Sequence, residues 1–272
     1  MHIQLNGRTA LITGASQGLG KAMAQRFAES GANVLMLARR TDVLEAAVDE
    51  VRTQVAAALG GNASPRIEGY SCDVANAESI AATWAAISGQ FPAVDIVVNN
   101  AGQAQTGAFE DVTDAIWQAD LDLKLFAAIR LTRLAWPGMK ARNWGRVVNL
   151  LNTAAKAPPP KSAPTSVTRA AGMALTKVLA GEGAPHNICV NALMIGRIVS
   201  NQIEQQWEHS AGGRDGSVSL REFIAETGRR LPMGRMGEPE ECANLACFLV
   251  SDAASYVTGC AINMDGGLSQ VV

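Results

Sequence analysis

A glycine-rich turn between residues 13 and 20 is the segment whose residue types most directly indicate chemistry. Its glycines follow an apolar run and precede a helical pattern, so the backbone there can approach a bulky anion. The free N–H groups and the dipole of a helix N-terminus attract phosphate. The spacing therefore predicts a site for the pyrophosphate of a dinucleotide, formed by Gly14, Ser16, Gln17, Gly18, Leu19 and Gly20.

A pair of arginines follows the second predicted strand, about 20 residues beyond the glycines, where an acidic residue would hold the ribose 2′-hydroxyl of NAD. Residues 37–40 read Leu-Ala-Arg-Arg, without a carboxylate. Arg39 and Arg40 can pair with a 2′-phosphate while Ser16 adds a hydroxyl, which favours NADP. In the alternative, both arginines are solvated charges at a helix start, and Asp42 neutralises one of them.

Further motifs continue this pattern to the carboxyl end of the chain. Residues 99–102 read Asn-Asn-Ala-Gly after the fourth predicted strand, and residues 235–239, 258–259 and 265–267 read Arg-Met-Gly-Glu-Pro, Thr-Gly and Asp-Gly-Gly. With the TGxxxGxG spacing of the turn, they resemble the short-chain dehydrogenase/reductase family over essentially the whole chain. The resemblance implies an NAD(P)-dependent oxidoreductase in which hydride moves at nicotinamide C4.

The resemblance also implies roles in cofactor binding beyond the turn. Asp73 and Val74 match the position that contacts adenine, and Asn99 is expected to hold its strand end near the cofactor. The remaining residues that we assign to the cofactor site are Asn100, Ala101, Gly102, Arg169, Gly196 and Ile198.

The family's catalytic residues are a tyrosine, a lysine four residues later, a serine thirteen residues before the tyrosine, and an asparagine in the preceding long helix. Matching the segments that flank them places Thr165 at the tyrosine, Arg169 at the lysine, Asn152 at the serine and Lys124 at the asparagine. The resemblance thus implies that all four residues have been replaced.

These replacements differ in what they can do. Arg169 can donate to the nicotinamide ribose hydroxyls, but a guanidinium does not relay protons. Asn152 can polarise a substrate carbonyl. Thr165 is too weakly acidic and ends about 4 Å short of a tyrosine oxygen, which excludes it as the acid. Lys124 is long enough to reach that space, and burial beside Arg169 would lower its pKa, so we take it as the candidate proton donor.

Other roles for the lysines stay open. Lys124 could be a solvated side chain, or could join Arg169 in binding a carboxylate of the substrate. Lys156 is a second candidate donor, although a loop surface charge is the simpler interpretation.

The leading hypothesis is therefore an NADP-dependent oxidoreductase for a small carbonyl or alcohol substrate. A reductase of C=N or activated C=C bonds is one alternative, because it depends less on a strong acid. A catalytically lapsed, NADP-binding regulatory protein is the other. All four replacements are polar or cationic, which favours an enzyme.

The composition favours small-molecule chemistry over binding to nucleic acid or membranes, because a formal charge of -2 provides no basic excess. His2, His186 and His209 are scattered and no ligand spacing occurs, so we expect no metal. The five cysteines, mostly in apolar runs, predict reduced core thiols. With no signal or membrane-spanning segment in the sequence, we expect a cytoplasmic protein.

The elements that must position these residues alternate regularly. Predicted strands lie at 9–13, 34–38, 66–70, 95–99, 146–151, 188–193 and 260–263, and predicted helices at 19–29, 42–59, 77–87, 113–139, 167–179 and 239–249. This alternation predicts an α/β Rossmann-type, doubly wound, seven-stranded parallel sheet in one domain, residues 1–272.

A segment at about 200–232 breaks the rhythm, with Gly212, Gly213 and Gly216 in its middle, and is predicted to be a mobile substrate cover. The family resemblance implies a homotetramer or homodimer, with helices 113–139 and 167–179 packing across an interface.

Overall fold

The strands of the computed structural model, which describes residues 3–60 and 65–272, are short and mostly buried. In chain order they are β1 (Thr9–Thr13), β2 (Asn33–Ala38), β3 (Ile67–Ser71), β4 (Ile96–Asn99), β5 (Thr106–Gly107), β6 (Gly145–Asn152), β7 (Ala163–Pro164), β8 (Ile188–Ile195) and β9 (Ala261–Met264). The helices are α1 (Gly18–Glu29), α2 (Thr41–Ala58), α3 (Ala77–Ser88), α4 (Asp114–Leu121), α5 (Ala127–Ala141), α6 (Thr165–Gly183), α7 (Asn201–His209), α8 (Ala211–Arg214), α9 (Leu220–Arg229) and α10 (Pro239–Leu249).

Seven strands form one parallel sheet in the order β3-β2-β1-β4-β6-β8-β9. Ile12 of β1 pairs with Met36 on one side and Val98 on the other. Both faces of such a sheet are covered, which explains why its strands read as continuous apolar runs. The predicted α/β fold is confirmed, and the predicted strands match the observed ones within one or two residues at each end.

Helices pack on both faces of the sheet. Phe27 of α1, Val51 of α2 and Cys247 of α10 belong to the apolar cluster on one face. Leu131 of α5 and Ala180 of α6 belong to the cluster on the other face. The strand order reverses between β1 and β4, and parallel α/β sheets bind ligands at the carboxyl edge beside such a reversal.

The predicted single helix at 113–139 is interrupted. Between α4 and α5 lies a five-residue π-helical segment, Asp122–Phe126, which contains Lys124. One extra residue per turn rotates the side chains that follow, and such segments are frequent at functional sites. A pattern of apolar periodicity cannot register a wider turn of this kind.

A second, two-stranded antiparallel sheet joins β5 to β7 and was not predicted, because two-residue strands have no periodic signal. The segment at 200–232 contains α7, α8 and α9. Within it, Trp207 Nε1 of α7 donates to the carbonyl of Val218 at 2.8 Å, which holds α7 against the chain that precedes α9.

Two predictions about single residues need correction. Cys260 is exposed, whereas the other four cysteines are buried as expected. Lys156 is not a free loop charge, because its Nζ donates to the carbonyl of Ala261 at 2.8 Å and to Asn263 Oδ1 at 2.6 Å. It therefore ties the chain after β6 to β9.

Within residues 3–60 and 65–272, no group of three or more His, Cys, Asp or Glu side chains is placed to hold a metal ion. His2 lies outside the described residues. No helix in the same ranges is long and apolar enough to cross a membrane.

Candidate active site

The turn between β1 and α1 is held in shape by Asn100. Asn100 Nδ2 donates to the carbonyls of Thr13 at 2.8 Å and Gly14 at 3.2 Å. In return, Thr13 Oγ1 accepts the N–H groups of Asn100 and Ala101, both at 2.9 Å. A residue that follows β4 thereby fixes the turn that follows β1, and brings the two glycine-containing motifs together.

The glycines of the turn are required by its geometry. Gly14 and Gly18 have φ of +63° and +52°, a conformation that disfavours side chains. A Cβ on Gly20 would lie 2.2 Å from the Gly14 carbonyl oxygen. The turn therefore packs onto the first turn of α1 with no room for a side chain, which leaves the helix N-terminus open to an anion.

Asn99, the last residue of β4, makes its contacts away from the glycine turn. Its Nδ2 donates to Asn149 Oδ1 at 2.8 Å and to Thr132 Oγ1 at 3.3 Å. It therefore links β4 to β6 and α5. Of Asn99 and Asn100, it is Asn100 that contacts the glycine turn.

A cavity of about 800 Å³ opens at the carboxyl edge of the sheet, between the glycine turn and α7. Fourteen of the residues assigned from the sequence line it: Gly14, Ser16, Gln17, Gly18, Leu19, Arg39, Arg40, Val74, Asn100, Ala101, Gly102, Arg169, Gly196 and Ile198. The lining also contains residues that sequence reasoning missed, among them Cys72, Gln103 and Leu123, and it contains Asn201, Gln202, Gln205 and Gln206 from the segment at about 200–232 that was predicted to cover the substrate.

Five assigned residues lie outside that lining: Gly20, Asp73, Lys124, Asn152 and Thr165. Gly20 lies beneath the turn. Asp73 is exposed, and its Oδ1 accepts the N–H of Ala75 at 3.1 Å. Asn152 ends β6, and its Oδ1 is buried without a hydrogen-bond partner among the described residues.

Arg39 and Arg40 are exposed at the rim of the cavity. Among residues 3–60 and 65–272, no carboxylate forms an ion pair with either guanidinium, and Asp42 is not paired with them. The described residues do not neutralise this positive pair, and they leave both guanidiniums available to an anionic group in the cavity.

Lys124 and Thr165 meet beside the cavity, together with an acid that sequence reasoning missed. Lys124 Nζ donates to Thr165 Oγ1 at 2.8 Å and forms an ion pair with Asp120 Oδ1. The side chains of Lys124 and Asp120 are only 4% and 2% exposed, so this pair is shielded from water. Asp120 precedes Lys124 by four residues on a helical stretch, and that spacing was the signal that could have revealed it.

The backbone of Gln105 binds the Thr165 hydroxyl of this group. The Thr165 hydroxyl donates to the Gln105 carbonyl at 2.8 Å and accepts the Gln105 N–H at 2.9 Å. The β5–β7 ribbon begins at the next residue and holds this contact in place. The Thr165 hydroxyl is therefore engaged by backbone, and Lys124 is not among the residues that line the cavity.

Arg169, unlike Lys124, lines the cavity. Its Nη1 donates to the carbonyl of Leu150 at 2.6 Å, while its Nε is buried without a partner in the described part of the chain. Burial lowers the pKa of Arg169 to about 10, against the charge of Asp120, which raises it. The guanidinium is still a cation at neutral pH.

The pKa of Lys124 reflects opposing effects. Burial lowers it most, the hydrogen bond and charge of Asp120 raise it, and the charge of Arg169 lowers it further. The net effect is a pKa below the ordinary value for lysine, the direction that a general acid acting near neutral pH requires.

These features define a Rossmann-type dinucleotide-binding protein, with the ligand site at the reversal of strand order. The family profile described as enoyl-(acyl carrier protein) reductase matches residues 14–269. The NAD-dependent glycerol dehydrogenase of Listeria innocua is 32% identical over 263 residues, which cover 97% of this chain and 94% of that protein.

Solved structures agree. The L-sorbose reductase of Gluconobacter frateurii, complexed with NADPH and L-sorbose, is 31% identical, with a TM-score of 0.90 and full coverage of both chains. An NADPH-bound short chain oxidoreductase from Pseudomonas aeruginosa PAO1, described as containing an atypical catalytic center, is 31% identical with a TM-score of 0.87, over 99% of this chain and 100% of that one. The chain belongs to the short-chain dehydrogenase/reductase family and is an NAD(P)-dependent oxidoreductase of that type.

Proposed function

We propose that this protein uses NADP(H) to interconvert a small carbonyl compound and its alcohol, with a proton-transfer site unlike the usual one of its family. The observation that carries the proposal is one continuous cavity that connects the glycine turn to Arg169 and has Arg39 and Arg40 at its rim, where no described carboxylate pairs with them. A dinucleotide phosphate matches the charge at one end, and a reacting group at the other would lie beside a fixed cation.

The cofactor preference follows from charge. The helix N-terminus and the glycine turn would hold the pyrophosphate, and Arg39 and Arg40 would hold a 2′-phosphate. Relatives differ on this point, since the sorbose reductase structure holds NADPH while the Listeria enzyme is described as NAD-dependent. The assignment to NADP therefore rests on these two arginines and not on the family.

We place the replaced catalytic residues at Lys124, Asn152, Thr165 and Arg169. NADP(H), when bound, would supply or accept the hydride at its nicotinamide. Arg169 would hold the nicotinamide ribose hydroxyls, and Asn152 would donate a hydrogen bond to the substrate oxygen. Lys124 supplies the proton to that oxygen during reduction and regains one from solvent after the product leaves.

Thr165 connects Lys124 to the substrate in this proposal. Its hydroxyl accepts a hydrogen bond from Lys124 and can pass its own proton onward, so a threonine too weakly acidic to act alone still completes the route. The route requires Gln105 to release the Thr165 hydroxyl when substrate binds. We further propose that α7, which contributes Gln202 and Gln205 to the lining, covers the substrate.

Exposed apolar side chains on the helices beyond the site support self-association. Phe126, Leu134, Val167 and Val178 are all more than one-third exposed, and they lie at or beside α5 and α6. We propose that these helices form the interface of a homodimer or homotetramer, which light scattering at micromolar concentration would detect.

Reduction of an activated C=C bond is a second candidate, because the matching family profile carries the description of an enoyl reductase. Such a reaction places less demand on a strong acid.

The test is a hydride-transfer screen, followed optically, of NADPH and NADH against small ketones, imines and enones. We expect oxidation of NADPH with a ketone, at a rate that exceeds the rate with NADH. Turnover confined to enones would favour the second candidate, and NADPH binding without turnover on any panel member would contradict both.

A further inference from the structure

We propose that Asp120 is a positioning residue for proton transfer, which keeps Lys124 a cation and aims its ammonium at Thr165. The part of this inference that concerns turnover rests on the proposed function, whereas the control of Lys124 by Asp120 does not. Asp120 belongs to none of the motifs that the family resemblance implies, and the folded chain shows its contact with Lys124.

The geometry brings three groups into one contact. Lys124 Nζ pairs with Asp120 Oδ1 and donates to Thr165 Oγ1 at 2.8 Å, and Thr165 Oγ1 lies 3.4 Å from the same carboxylate oxygen. An ammonium shared between two acceptors has little freedom to rotate away. Asp120 therefore fixes the direction of the Lys124 N–H bond that faces Thr165, and it also keeps the proton on Lys124.

Charged groups of opposite sign face Lys124 from the neighbouring elements. Asp120 faces it from α4 and raises its pKa, and Arg169 faces it from α6 and lowers its pKa. Without Asp120, burial and the charge of Arg169 would both act to remove the proton. One carboxylate thus opposes two effects that would turn Lys124 into a neutral amine.

A requirement for stability alone does not explain the arrangement. Burying an ion pair is expensive, and replacing such a pair by apolar side chains of similar volume is often neutral or stabilising. Asp120 is also only partly satisfied, because its Oδ2 is buried without a hydrogen-bond partner in the described part of the chain. The carboxylate of Asp120 provides a negative charge that pairs with the Lys124 ammonium, and an apolar side chain would provide none.

Lysine titration followed by NMR tests the inference without any substrate. The chain has six lysines, so protein labelled with ¹³C in the lysine side chains gives a simple spectrum, and Lys124→Met identifies the Lys124 signal. In Asp120→Asn we expect the pH at which Lys124 loses its proton to fall by about 1–3 pH units. An unchanged titration of Lys124 overturns the proposal.

Asp122→Asn is the matched control. Asp122 lies two residues away and pairs with Arg130 instead of Lys124, at 3.3 Å. The same substitution there should leave the Lys124 titration unchanged, and an equal fall in both variants would contradict a specific role for Asp120. Asp120→Glu keeps the charge and should restore most of the parent titration.

Asp120→Asn leaves a buried cation unpaired and can fail to fold. The double variant Asp120→Asn/Lys124→Met removes both charges. It tests the proposal if Asp120→Asn alone does not fold. If the double variant folds, the need for Asp120 acts through Lys124, as proposed. If it fails as well, Asp120 serves folding independently of Lys124 and the proposal is wrong.

The kinetic readout separates this inference from the proposed function. With an active ketone substrate, Asp120→Asn should shift the fall of kcat at high pH to lower pH, by the same amount as the NMR titration. A shift in the titration without a shift in the rate profile supports the control of Lys124 by Asp120 and overturns Lys124 as the acid.

Discussion

Lys124 Nζ lies 2.8 Å from Thr165 Oγ1, which joins the π-helical segment to the first residue of α6. The two residues are separated by 41 positions in the chain, and each occupies a place that the family resemblance assigns to a catalytic residue. With Asp120 and the Gln105 backbone, they form one hydrogen-bonded group.

Replacing the lysine tests its chemical role. If Lys124 supplies the proton, Lys124→Met should reduce kcat by about 10²–10⁴-fold and leave NADPH affinity nearly unchanged. The single change also leaves buried Asp120 without its cation, which costs about 3–5 kcal/mol of stability. Asp120→Asn/Lys124→Met is therefore the control, since it should recover stability and not turnover. Full activity of either variant would exclude Lys124 as the donor.

Lys124→Met also distinguishes proton donation from a purely electrostatic role of Lys124. If Lys124 and Arg169 instead bound a carboxylate, Lys124→Met would mainly raise KM, and only for anionic substrates.

The pH dependence of reduction follows from the lowered pKa of Lys124. The ammonium is the acid, so kcat for reduction should be constant at low pH and fall as pH rises through that pKa, which lies below the ordinary value for lysine. Stability should change in the opposite sense. Because unfolded Lys124 binds its proton more tightly, its burial costs stability below the folded pKa, and this cost disappears as pH rises toward the unfolded value. Initial rates and denaturant titrations over the same pH range measure both trends.

Cofactor choice should depend on Arg39. Replacing this guanidinium with a carboxylate in Arg39→Asp should reverse a preference for NADPH, because each lost charge-assisted contact costs about 1.5–3 kcal/mol. Fluorescence titration with both cofactors measures the change. Arg133→Asp makes the same charge change on an exposed part of α5 away from the cavity and should alter neither affinity. Equal binding of NADPH and NADH by the parent protein would refute the assignment.

The glycine turn should not tolerate a side chain at residue 20. A Cβ there would lie 2.2 Å from the Gly14 carbonyl oxygen and 2.7 Å from Asn100 Nδ2, so Gly20→Ala must open the turn. We expect NADPH binding to weaken by at least about tenfold, which corresponds to 1.4 kcal/mol. Gly181→Ala in α6 meets no atom within 4 Å and should leave binding intact. Unaltered affinity in Gly20→Ala would mean that the cofactor does not use this turn.

The sequence by itself determined the sheet, the glycine turn and the arginine pair at the end of β2. Strands buried on both faces must be apolar along their length, and a turn with positive φ at Gly14 and Gly18 favours glycine, so both requirements leave local marks. Counting along the family pattern also placed Lys124 close to Thr165 without any coordinates.

Only the tertiary structure decided how those residues are used. The Gln105 backbone meets Thr165 across 60 positions, and Asn100 rather than Asn99 holds the turn after β1, across 86 and 87 positions. Contacts of that range leave no local pattern, because they depend on how separate elements pack. The wider π-helical turn and the burial of Asp120 against Lys124 arise in the same way, since the charge state of a buried lysine depends on everything that surrounds it in the folded chain.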